Sequence, residues 1–229
     1  MAETETTFPQ TTEPEQGRGI LDELVKRNRI VIFGLAFAIE LAIYFGATVI
    51  PIDPAQQQEL ANLPNSILGS APSQGSVSIF AALFSHNLEV ALLEMIPAAG
   101  AAVFFISTFL TGQVIQAGAI SSNLPGPLLG VFLFLVPDTL VEQFAYAVAV
   151  ASGTMLIVAW RRRQLVRELR VFALEAGVVA FTLVLAAALE TVVIVDSLVG
   201  FALWLPTALG IFALVMAVRG AWRLRTSPT

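Results

Sequence analysis

The chain has 229 residues, 56% of them hydrophobic and only 13% charged, with no cysteine and a single histidine, and its mean hydropathy is +0.80. A soluble chain of this size needs a far more polar surface, so the composition describes an integral membrane protein with one membrane-embedded domain. A net charge of −5 and a pI near 4.9 argue against nucleic-acid binding. The lack of cysteine excludes disulfides and thiolate chemistry, and the lone histidine excludes multi-histidine metal sites, so neither a cofactor nor a metal is expected.

The basic residues fall into three clusters: Arg18, Lys26, Arg27 and Arg29; Arg161, Arg162, Arg163, Arg167 and Arg170; and Arg219, Arg223 and Arg225. Lys and Arg beside membrane spans stay on the cytoplasmic side, which assigns all three clusters, and with them both termini, to the inside. Residues 1–18 carry four Glu, five Thr and two Pro within Met1 to Gln16, too little apolar surface to offset the entropy of ordering, and read as a disordered cytoplasmic tail. Residues 19–225 then form the membrane domain. Gly19 to Arg29 reads as the start of the first helix, with a helix lying along the inner surface as the alternative.

Ile30 to Ile50 is about 21 residues of apolar chain, enough to cross about 30 Å of hydrocarbon at about 1.5 Å per residue. It is too long for a cleaved signal segment. Its Glu40 falls near the midplane, where a buried, hydrogen-bonded carboxyl is the plainer reading and a direct role the sharper one. Residues 51–76 are rich in Pro and Gln and hold no basic residue. They read as an external loop with a short helix near Ala55 to Leu63.

Polar residues concentrate after this loop. Val77 to Met95 is just long enough to span, yet holds His86, Asn87, Glu89 and Glu94. His86 and Glu89 stand at i and i+3 on one helical face. They make at most half a metal site, so a polar helix that is half-inserted or packed against neighbours is set against direct chemistry or binding by that face. Pro97 breaks the run. Ala98 to Ala117 is a further apolar helix, Ser121 to Pro127 a turn, and Leu128 to Val136 too short to span. Pro137 either kinks a longer helix or starts a new one, with Asp138 near its positive end. From Asp138 to Trp160 the residues Ala145, Ala149 and Gly153 recur at every fourth position, a stripe that lets another helix approach closely. Glu142 is either an interface-level cap residue or an interior anchor facing His86 or Asn87.

The order FSHNLEVAL, a small-residue helix with a Gly-containing turn, and PDTLVEQFAYAVAVASG resembles the stage II sporulation protein M family. The Pro-His-Gly-x-x-Glu segment of that family falls on Pro137, Asp138, Thr139 and Glu142, so Pro and Glu are kept while His and Gly are replaced. LAAALETVV with Glu190 is similar to the family's Ala-rich helix carrying an outer Glu. The resemblance implies a non-enzymatic membrane protein that, in spore formers, works with cell-wall hydrolases during engulfment, and hence cell-envelope proteins as partners.

Arg161 to Arg170 is an amphipathic cytoplasmic connector that is topogenic or touches anionic lipid head groups. Val171 to Val195 goes out past Glu175 and Glu190, Asp196 and Ser197 turn, and Leu198 to Val218 returns. With residues 30–50 crossing once and the last two helices forming a hairpin, residues 77–160 must cross an odd number of times. The expected architecture is therefore all-α and polytopic, with about six membrane helices of which four are clear spans and the second and fourth are irregular or re-entrant. The candidate functional cluster is His86, Asn87, Glu89, Pro137, Asp138 and Glu142, with Glu40, Glu94 and Glu190 as secondary intramembrane acids. A scaffold among lipids and envelope proteins, self-association included, is the leading reading. A small transporter or channel using the buried acids and broken helices is the alternative, and with no thiol and no serine dyad an intramembrane enzyme ranks last.

Overall fold

A computed structural model describes residues 27–196, 202–205, 207–209 and 211. The expected tail 1–18, most of Gly19 to Arg29, Ser197 and nearly all of the returning helix 198–218 lie outside these residues. The described chain is all helix: α1 Arg27–Ala47, α2 Pro54–Leu68, α3 Ala71–Gln74, α4 Ser76–Glu94, α5 Ala99–Ser121, α6 Gly126–Phe134, α7 Pro137–Arg161 and α8 Leu165–Val195. Among the described residues, α1 from Asn28, α4, α5, α7 and α8 are long and apolar enough to cross a membrane.

Two sequence expectations separate here. The run 77–95 is not irregular, because α4 is one continuous helix of 19 residues, long and apolar enough to cross a membrane. Its polar groups are side chains, and a helix bonds its own backbone whatever they carry. The fourth crossing is broken, and Pro137 takes the first position of a new helix after the extended Val136 (φ −83°, ψ 132°). The Leu135 carbonyl, freed by that break, finds a protein partner, accepting from the Trp204 indole N–H at 2.5 Å, and the Tyr44 hydroxyl of α1 ties down α6 beside it by donating to the Gly130 carbonyl at 3.3 Å. That is the condition under which irregular backbone persists at membrane depth.

The loop 51–76 is more helical than its Pro content suggests. Asp53 caps α2 by accepting from the Ala55 and Gln56 amides, both at 2.9 Å, and the Gln56 side chain accepts in return from the Asp53 amide at 3.4 Å. Such a capping box stabilises a helix start by about 1 kcal/mol, and the helix runs on through Pro64 to Leu68. The Gln57 side chain donates to the Ser121 hydroxyl at 3.4 Å, so α2 sits at the end of the bundle where α5 finishes. The connector 161–170 likewise shrinks to a turn, since α7 ends at Arg161 and α8 starts at Leu165.

Glycine sets how close the helices come. A Cβ on Gly153 would lie 2.7 Å from the Met95 carbonyl oxygen, and one on Gly112 would lie 2.5 Å from that of Tyr44. These contacts press α7 on the end of α4 and α5 on the end of α1. Ala145 and Ala149 are fully buried and pack with Ala91, Met95, Phe104, Val179 and Leu183. The small-residue stripe of α7 is thus a seam between helices, where close van der Waals contact replaces the drive that water would supply.

Candidate functional site

α1, α4, α7 and α8 each turn carboxyl groups toward a common interior. Glu40 of α1 and Glu94 of α4 are completely buried. Glu40 lies within Coulomb range of Glu94 and Glu142, Glu94 within range of Glu142, and Glu190 of α8 within range of both Glu142 and Asp138. α5 adds a hydroxyl, Ser107, which donates to Glu94 Oε1 at 2.8 Å. Tyr146, one turn after Glu142, donates to its Oε1 at 2.8 Å.

The rest of this cluster is under-satisfied. Both oxygens of Glu40, Oε2 of Glu94 and Oδ1 of Asp138 are buried with no hydrogen-bond partner. Among the described residues, none of the five carboxyls makes an ion pair, and no three His, Asp or Glu side chains converge closely enough to hold a metal ion. Charge on such a group inside a membrane protein has to be offset by a proton, a small cation or a partner's cationic group.

The six residues singled out from the sequence do not form one site. Pro137 is buried at the start of α7, where it places Asp138 in the first turn, and Glu142 follows one turn on. These two join Glu40, Glu94 and Glu190, so the primary and secondary acids of the sequence reading make up a single cluster. Asn87 is buried, at 5% exposure. His86 and Glu89 are exposed on the opposite face of α4. Glu142 therefore bonds Tyr146 rather than His86. Asn87 and Glu94 are seven residues apart and share the inward stripe, whereas His86, Glu89 and Leu93 share the outward one.

Sequence reasoning missed four participants. Tyr146 was legible as an i+4 neighbour of Glu142. Tyr44, within Coulomb range of Glu142 and Asp138, and Ser107 carried no local signal, since only packing places them here. Arg29 looked like a topogenic charge, yet it is 5% exposed and pairs from α1 with Glu168, at 2.5 Å, and with Glu175 of α8. This clamp closes the basic end of the bundle. At the tip of the α7–α8 hairpin, Trp160, Arg161, Arg163 and Arg167 border a surface hollow of about 640 Å³.

No solved structure matches the chain. The family model described as Stage II sporulation protein M matches residues 30–193, a span that runs from α1 into the last turn of α8 and so contains every member of the acid cluster and both carboxyls of the clamp, while Arg29 stands one residue before it. A multi-pass helical membrane protein matched over that length belongs to the stage II sporulation protein M family.

Proposed function

We propose that the protein is a non-enzymatic scaffold of the plasma membrane, with both termini cytoplasmic, that works by holding protein partners in cell-envelope processes. The observation that supports this reading is the outward face of α4. His86 and Glu89 stand exposed there, about 15 and 20 Å along a spanning helix. Polar groups facing lipid at that depth cost about 2.5 to 3.5 kcal/mol for a charge, a cost that contact with another protein removes. In the test, the tagged protein is purified from native membranes beside a His86→Phe/Glu89→Leu variant. The variant should fold, keep its melting temperature in detergent and lose most of its co-purifying protein. Retention of the same complexes would defeat the scaffold reading at this face.

The orientation has its own test, made clean by the lack of cysteine. A Gln57→Cys variant should react with an impermeant thiol reagent added outside intact cells, and a Gln164→Cys variant only after permeabilisation. Labelling of position 164 from outside would invert the assignment.

Glu40 supports a second reading. A fully buried carboxyl with two unpartnered oxygens among four other acids suits a proton or cation relay in a small transporter. Proteoliposomes would then show a pH-driven flux that Glu40→Gln abolishes without loss of fold. Absence of any flux in the parent protein would remove this reading.

A further inference from the structure

We infer that the outward face of α4 is a two-fold contact between two copies of this chain, in which His86 of each copy pairs with Glu89 of the other. The inference rests on the partner-holding reading above and names the partner.

Within the described residues neither side chain has a hydrogen bond or ion pair, so the face carries one unused base and one unused acid. Both are deep. Measured along α4, Glu89 lies about 8 Å from the helix's inner end. That end packs at the level of Gly153, a further seven residues, or about 10 Å, short of the interfacial Trp160. Neither group reaches water by stretching its side chain.

The spacing is self-complementary. His86 and Glu89 differ by about 60° around the helix and about 4.5 Å along it. A two-fold axis along the membrane normal sets two α4 helices side by side and parallel, so each His86 meets the partner's Glu89 within one turn. Two pairs form and no polar group is left over, as an isologous contact requires. A foreign partner would have to bring its own acid and base in matching register. The apolar part of the face fits the same arrangement. A hollow of about 480 Å³ bordered by Ser85, Leu88, Glu89 and Leu92 accepts the ends of large side chains, and Leu92 and Ile96 stand 52% and 45% exposed beside it. Ser85 at the upper rim lets the backbones come close.

The test uses the full chain in native membranes, with single cysteines introduced at Ser85, at Leu92 and, as a control on another exposed face, at Phe105. Mild oxidation should give a covalent dimer from Ser85→Cys and Leu92→Cys at least tenfold more abundant than from Phe105→Cys. His86→Glu alone should cut the Leu92→Cys dimer at least tenfold, and the exchanged pair His86→Glu/Glu89→His should restore it, with detergent melting curves confirming that each variant is folded. If an exchange variant does not fold, His86→Gln and Glu89→Gln, each expected to weaken the dimer, take its place. A dimer indifferent to both residues would overturn the inference. A photo-reactive side chain at Leu92 separates the two readings. An adduct of twice the chain mass supports self-pairing. An adduct of any other mass, with no dimer, overturns self-pairing and leaves the partner-holding reading standing, and adducts no more frequent than at Phe105 overturn both.

Discussion

Gly100→Ala is expected to destabilise the protein by about 3 kcal/mol, the upper end of what overpacking costs when backbone rather than a side-chain tip stands in the way. A Cβ on Gly100 would lie 1.8 Å from the carbonyl oxygen of Glu94, 2.5 Å from its carbonyl carbon and 3.0 Å from its Cα. All three are backbone atoms of the tight α4–α5 turn, where Ala98 already holds a left-handed φ of 67°. The methyl group can fit only if the turn opens, and opening it moves Glu94, the residue that α4 contributes to the acid cluster. Detergent melting curves would therefore show a large drop for Gly100→Ala. Gly177→Ala and Gly34→Ala should instead be neutral or raise stability by about 0.5 to 1 kcal/mol, since nothing lies within 4 Å of either added Cβ and alanine is the better helix former. Equal melting temperatures for Gly100→Ala and Gly177→Ala would mean that the turn is not tight.

The spans were legible because length and apolar content alone license a crossing: α1, α4, α5, α7 and α8 all lie where the sequence placed helices. Pro137 was equally legible as a helix start, since its missing N–H costs nothing at the first position. Which face of α4 looks inward was not. In water the apolar stripe of a helix marks its buried side; in lipid both sides are apolar, and the polar residues must choose by their partners. The periodicity held the answer in part, because Asn87 and Glu94 fall on one stripe and His86 and Glu89 on another, but nothing local said which was inside. The acid cluster was harder still. Glu40, Glu94, Glu142 and Glu190 come from four helices, and only their packing through Gly153, Ala145 and Ala149 brings them together. The helix α2 was underestimated for a different reason: Pro and Gln suggested a loop, while the Asp53 and Gln56 capping box at its start was overlooked.

Arg29 is where a charge most easily taken for a topology signal carries a structural load, and Arg29→Ala is expected to cost about 3 to 5 kcal/mol, the usual penalty for breaking a buried ion pair from one side. The guanidinium of α1 reaches Glu168 and Glu175, two turns apart on α8, with side-chain exposures of 6%, 10% and 8% for the three groups. Removing it leaves two carboxylates facing each other where little solvent reaches them. Arg29→Lys should recover only part of the loss, because an ammonium is a point charge while the planar guanidinium can serve two carboxylates at once. A triple change, Arg29→Met with Glu168→Gln and Glu175→Gln, removes the charges together and should restore most of the stability, as apolar or neutral replacement of whole buried ionic groups often does. The exposed Arg161 and Arg170 provide the comparison: Ala there should stay within about 0.5 kcal/mol of the parent. Thermal melting in detergent orders the set. If Arg29→Ala melts with Arg170→Ala, the clamp contributes nothing and Arg29 serves topology alone. If the triple change melts as low as Arg29→Ala, the loss comes from the packing of the arginine stem rather than from stranded charge.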